Sequence, residues 1–158
     1  MRMAVAIIAA SASCACAFAF TAGAVGSPRS VGCTAGVHTV GGATVRTFCG
    51  PAHATVKAGG KTFHFASGIC AISRGIFTVN IGSITLGHVK PKFAYLGIDA
   101  QPPRAGTHRN QIASWQEPGK SYSILSATVV LNGGLKSGSF SGTLLTGGGK
   151  ATGSFSCS

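Results

Sequence analysis

Carboxylates are almost missing from this chain: Asp99 and Glu117 stand against thirteen lysines and arginines, for a net charge of +11. Paired-carboxylate acid/base chemistry therefore requires those two residues to meet across the fold. Cation cages built from several carboxylates are disfavoured by the same shortage. Zinc-type spacing is also missing. Cys33, Cys49, Cys70 and Cys157 form no C-x2-C pair, and His38, His53, His64, His88 and His108 show no H-E-x-x-H or other close pairing. No G-x-S-x-G elbow singles out one of the many serines as a nucleophile. The basic residues are scattered singly, without the runs or interleaved aromatics of a dedicated nucleic-acid surface. Nor does any window hold a sustained 3.6-residue apolar period, because glycines interrupt every candidate helix. These absences leave a β-rich binding module as the expectation, with no cofactor and no metal.

What is present begins with "MRMAVAIIAASASCACAFAFTAGAVGS", one Arg2 followed by an uncharged apolar or small run as far as Gly26. A basic start, an apolar stretch and small residues at the exit predict a secretory signal peptide over residues 1–26, cleaved after Ala24 or Gly26. Two other readings stay open. The run is long enough for a membrane anchor, and Cys14 is a candidate lipid-attachment residue after Ser11-Ala12-Ser13, with Ser11 where a leucine is usual. Residues 27–36, "SPRSVGCTAG", read as a linker, and 37–158 as a single domain. Export to an oxidising, extracytoplasmic space lets the four remaining cysteines form two disulfides.

From there on, short β-type runs alternate with Gly, Pro and Asn. Expected strands are Ala43–Phe48, His53–Ala58, Lys61–Ala66, Ile76–Ile81, Lys92–Ile98, Gln111–Trp115, Tyr122–Leu131, Leu135–Thr146 and Ala151–Cys157. The fold expected is all-β, an antiparallel β-sandwich or open barrel of about eight or nine short strands. In "HATVKAGGKTFHFA" the Gly59-Gly60 pair suits a two-residue hairpin turn. Ala58 then faces Lys61, Val56 faces Phe63 and Ala54 faces Phe65, with every apolar residue on one side. Extended outward, the same register opposes Cys49 and Cys70 unless Pro51 and Gly68 insert a bulge. That points to Cys49–Cys70, leaving Cys33–Cys157 as the second bridge. "EPGK", Glu117 to Lys120, is a type II turn between the Trp115 and Tyr122 strands. At the end of the chain the expected hairpin sets Leu144 against Gly153, Gly142 against Phe155 and Phe140 against Cys157, with both phenylalanines on one face.

The segment with most chemical variety is "IDAQPPRAGTHRNQ", Ile98 to Gln111. Loops held by a rigid β scaffold are common binding sites. Here Arg104 and Arg109 are candidates to clamp a phosphate, sulfate or carboxylate, with His108 as donor or titratable group and Asp99 and Asn110 alongside.

"CAISRGIFTVNIG" at Cys70–Gly82, Ser121-Tyr122 after a Gly-Lys turn, and the closing "GSFSCS" resemble the small secreted lipoproteins of actinobacteria, including the mycobacterial 19-kDa lipoprotein antigen family. The resemblance runs from Cys70 to Ser158. It implies a lipid-anchored, surface-exposed β-rich domain with no established enzyme activity. It also implies a different disulfide pairing, Cys70–Cys157, with Cys33–Cys49 following.

The functional expectation is a secreted or cell-surface, disulfide-stabilised basic domain that works by binding. Its partners would be an anionic envelope polymer, a glycan or a lipid headgroup, drawn by net charge. Specific nucleic-acid binding is not expected, and membrane association would run only through the N-terminal segment or a lipid. The alternative is a small secreted enzyme acting on a polyanion such as nucleic acid, using the Asp99–Asn110 loop.

Overall fold

The computed structural model describes residues 33–87 and 89–158. The signal-peptide segment, Cys14 and most of the predicted linker lie outside the described residues, as does His88. Ten strands follow in order: β1 Gly36–Val40, β2 Ala43–Phe48, β3 Ala52–Ala58, β4 Lys61–Ser73, β5 Ile76–Thr85, β6 Tyr95–Ala100, β7 Gly106–Glu117, β8 Lys120–Leu131, β9 Ser137–Thr143 and β10 Lys150–Ser156. Among the described residues the only helical piece is the three-residue 3-10 turn Gly133–Leu135. β1 was not expected; its first residue falls at the end of the span read as linker.

Strands β3 to β10 pair each with the next, all antiparallel, and β10 returns to pair with β3. The result is a closed eight-stranded up-and-down barrel, which corrects the expected sandwich or open barrel. Alternation of apolar and polar residues serves either architecture, so it could not choose between them. Strand length and curvature choose. β4, β7 and β8 run to 13, 12 and 12 residues, long enough to coil around a barrel. Register shifts in β3–β4 and β7–β8 supply the bends. The β1–β2 hairpin sits outside the ring, with Val45–Phe48 paired to Gly82–Thr85 of β5.

The first predicted hairpin register holds: Ala58 opposes Lys61, Val56 opposes Phe63 and Ala54 opposes Phe65. Gly59 and Gly60 carry φ of 56° and 74°, the positive pair that such a turn needs. Beyond Ala54 the register shifts, so that Ala52 faces Gly68. Ser67, at φ 64°, is the added residue. Gly68 is also the corner at which β4 leaves β3 and takes β5 as its partner. A Cβ there would run into the backbone of Asn80 and Ile81, which is why the corner is bare. The bulge carries Cys49 out of line with Cys70, and the expected Cys49–Cys70 and Cys33–Cys157 bridges do not form. The disulfides are Cys33–Cys49 and Cys70–Cys157, the pairing implied by the family resemblance.

The barrel is filled by side chains, as expected for eight strands. Trp115 is fully buried and stacks on Tyr122, with ring centroids 5.0 Å apart, while Phe63 packs on both. Val56, Val79, Ile81, Leu96, Ile98, Ile124, Val129 and Phe140 continue the core towards Phe77 and Phe155 at the opposite end. At the closing hairpin the register differs from expectation by four residues: Phe140 opposes Gly153, and Phe155 opposes Gly138. A slip of four preserves the face, so both phenylalanines still point inward. The observed register gives each ring a glycine to cover, whereas the expected one did so only for Phe155. The outer surface of β3, β9 and β10 is Thr, Ser, Lys and His. On these three strands, apolar inside and polar outside is the inverse of the alternation in an outer-membrane barrel.

Candidate functional sites

Two outer surfaces of the barrel carry concentrated polar chemistry. The first lies on β5, β6 and β7. Asp99 points outward from β6, in register with Thr78 on one side and Ile112 on the other. β7 shifts register twice between His108 and Ala113, and Asn110 takes φ 56° within that stretch. Such bulges re-aim side chains and recur next to binding sites. The Gln111 carboxamide holds the bend: its Oε1 accepts from the Gln101 amide N–H at 2.7 Å and its Nε2 donates to the Arg109 carbonyl. Together Ile76, Asp99, Gln101, Asn110, Gln111 and Ile112 line an open depression of about 440 Å³. Burial by these neighbours raises the Asp99 carboxyl above its ordinary pKa, since desolvation disfavours the anion.

The five residues selected from the sequence separate here. Asp99 and Asn110 share the depression, but Arg104 and Arg109 do not line it. His108 opposes Val129, whose side chain is in the core, and is itself only 6% exposed. Its Nε2–H donates to the Arg104 carbonyl oxygen at 2.8 Å. The imidazole therefore fixes the loop from inside the barrel, which takes His108 out of the expected anion site, while Arg104 and Arg109 stay exposed. The acid pair is not assembled. Asp99 faces Ile112, and Glu117 lies five residues further along β7. At ~3.3 Å per residue, that places the two carboxylates roughly 16 Å apart.

The second surface spans β4, β3, β10 and β9, and sequence order hid it. Ser141 of β9, Thr152 of β10, Lys57 of β3 and Thr62 of β4 form one cross-strand row. Ser139, Ser154, Thr55 and His64 form the next, with the Thr55 hydroxyl 3.3 Å from His64 Nδ1. At the Gly59-Gly60 end, Lys57, Lys61 and Lys150 converge around an open depression of about 370 Å³ that no carboxylate lines. Lys150 also lines an adjoining depression with Ser141, Thr143 and Thr152, and Lys57 another with Thr55, Thr152 and Ser154. The surface is thus a continuous band of ammonium and hydroxyl donors. Lys57 and Lys150 are almost a hundred residues apart in the chain and meet only because β10 pairs with β3, with Ala151 opposite Ala58. The single available signal was the alternation that put serines and threonines on the outer face of both hairpins.

No protein-family model matches the chain, and no curated protein or solved structure matches it.

Proposed function

We propose that this protein is an exported, disulfide-stabilised barrel that acts by binding an anionic polymer through the lysine and hydroxyl surface of β4, β3, β10 and β9. The observation that carries this reading is the convergence of Lys57, Lys61 and Lys150 on one depression beside rows of Ser and Thr, with no carboxylate lining it or the two depressions that adjoin it. Lysines are point charges without the rigid fork of arginine. They suit a flexible chain of repeating anions better than one planar group held bidentately. Hydroxyls at the ~4.8 Å strand spacing add donors between the charges. Two disulfides fit an oxidising, extracytoplasmic setting. The resemblance to surface lipoproteins extends this to display at the cell surface, with Cys14 as the residue for a lipid. A catalytic reading on the same class of partner, built on His108 with Arg104 and Arg109, draws no support from an imidazole turned into the barrel.

The test is a salt titration of binding to a sulfated and a carboxylated polysaccharide, for the wild type and for the Lys57→Ala/Lys61→Ala/Lys150→Ala variant. Binding should weaken steeply with salt. By analogy with polyanion counterion release, the logarithmic slope should fall by roughly one for each lysine removed. Wild-type affinity and slope in the triple variant would overturn the assignment.

A further inference from the structure

The depression on β5, β6 and β7 does not fit an anion, and its lining points elsewhere. Asp99 presents a carboxylate, Gln101 and Asn110 present carboxamides, Gln111 offers the second lone pair and second N–H of a carboxamide that already holds the bend, and Ile76 and Ile112 supply apolar surface. An anionic ligand would face Asp99 with no arginine or lysine in the lining. Hard divalent cations want six or more oxygens, usually from several carboxylates, and one carboxylate is present. A cationic ligand must approach a chain of net charge +11 against its field. A wholly apolar ligand would strip water from Asp99 and the carboxamides without replacing those hydrogen bonds. One class satisfies all the groups: a neutral ring bearing several hydroxyls. Its hydroxyls donate to the carboxylate and amide oxygens and accept from the amide N–H groups, while its C–H face lies on the isoleucines.

We infer that this depression is a binding site for a neutral sugar, separate from the anion-binding surface of β4, β3, β10 and β9. Three features of the site support it. Its volume of about 440 Å³ lies within the ~300–1,000 Å³ of small-molecule sites. Ile112 is 48% exposed in the middle of a strand, directly beside Asp99. Asn110 takes the left-handed φ that asparagine accepts better than most side chains, in the doubly shifted part of β7 where straight pairing would aim the carboxamides differently. The two surfaces lie on different strands of the ring, so a polymer with charged and neutral units could occupy both.

The experiment is an amide-resolved NMR titration of the folded domain with five probes. Three are neutral: methyl α-glucoside, methyl α-mannoside and methyl β-galactoside. Methyl glucuronide is the anionic control and glucosamine the cationic one. Saturable shifts should centre on Asp99, Gln101, Asn110 and Gln111 with at least one neutral glycoside. That affinity should drop tenfold or more in Asp99→Ala, and remain unchanged in the Lys57→Ala/Lys61→Ala/Lys150→Ala variant. A second variant, Ile112→Ser, leaves the hydrogen-bonding groups in place and should weaken the same glycoside. No shift with any neutral glycoside overturns the inference, and so does a stronger response to glucuronide or glucosamine. Because the lysine variant is in the same series, failure here is distinguishable from failure of the polymer surface.

Discussion

Deleting the two disulfides one at a time should cost unequal and independent amounts of stability. Cys33–Cys49 closes a span of 16 residues and Cys70–Cys157 a span of 87. In the chain-entropy treatment, a cross-link removes denatured-state entropy that grows with the logarithm of the loop. This gives about 3.1 kcal/mol for the short loop and about 4.6 kcal/mol for the long one at 25 °C. The two loops share no residues, so the costs should add. In the nested arrangement, Cys49–Cys70 inside Cys33–Cys157, the inner bridge would shorten the outer loop and the two deletions would be coupled. The assay is urea unfolding of the wild type, Cys33→Ala/Cys49→Ala and Cys70→Ala/Cys157→Ala, each analysed by linear extrapolation. Peptide mapping of the intact protein without reductant accompanies it. Cys70→Ala/Cys157→Ala should be the less stable by about 1.5 kcal/mol, and the mapped peptides should link Cys70 to Cys157. A reversed order of stabilities, or a peptide joining Cys49 to Cys70, would refute the reasoning.

Two further outcomes follow from the packing. Gly153→Ala should destabilise by about 1–3 kcal/mol, because the new methyl must displace the Phe140 ring, which already lies over the glycine; the outward Ser154→Ala on the same strand should stay within about 0.5 kcal/mol of wild type, and equal effects in urea unfolding would contradict that packing. Burial, and secondarily the charge of Asp99, push the Tyr95 phenol from 10.0 up to about 12. A raised phenol favours the neutral form in the fold, so its stabilisation is complete below pH 10 and is lost as pH rises towards about 12. Tyr95→Phe should flatten that alkaline limb of the stability profile, and a native phenol titrating at its ordinary value would remove the basis for it.

Local chemistry made much of the barrel legible. The Gly59-Gly60 turn fixed the β3–β4 register because only positive φ closes a two-residue loop, and Glu117 faces Lys120 across its Pro-Gly turn. The last hairpin was harder, since a run of three glycines permits several loop lengths. The register was settled by the mutual cover of Phe140 with Gly153 and Phe155 with Gly138, a contact between strands that turn chemistry does not encode. One bulged residue, Ser67, was enough to redirect the cysteine pairing. Of the candidate site, Asp99 and Asn110 were legible as polar residues in a varied segment, but that segment is not one loop: Asp99 lies on β6 and Asn110 on β7. His108 was misplaced because the double register shift of β7 decides which side chains face inward. The lysine surface was invisible for a different reason: its members come from opposite ends of the barrel sequence and become neighbours only on closure.

That closure has a temporal side. The seam is β3 against β10, so the ring stays open until the eighth strand in chain order joins the other seven. Cys157, directly after β10, is also the partner that Cys70 must wait for. Lys57 and Lys150 stand on either side of the same seam. A chain without β10 therefore loses the meeting of Lys57 and Lys150 as well as the closed wall. Closing the barrel and gathering the lysines are one event.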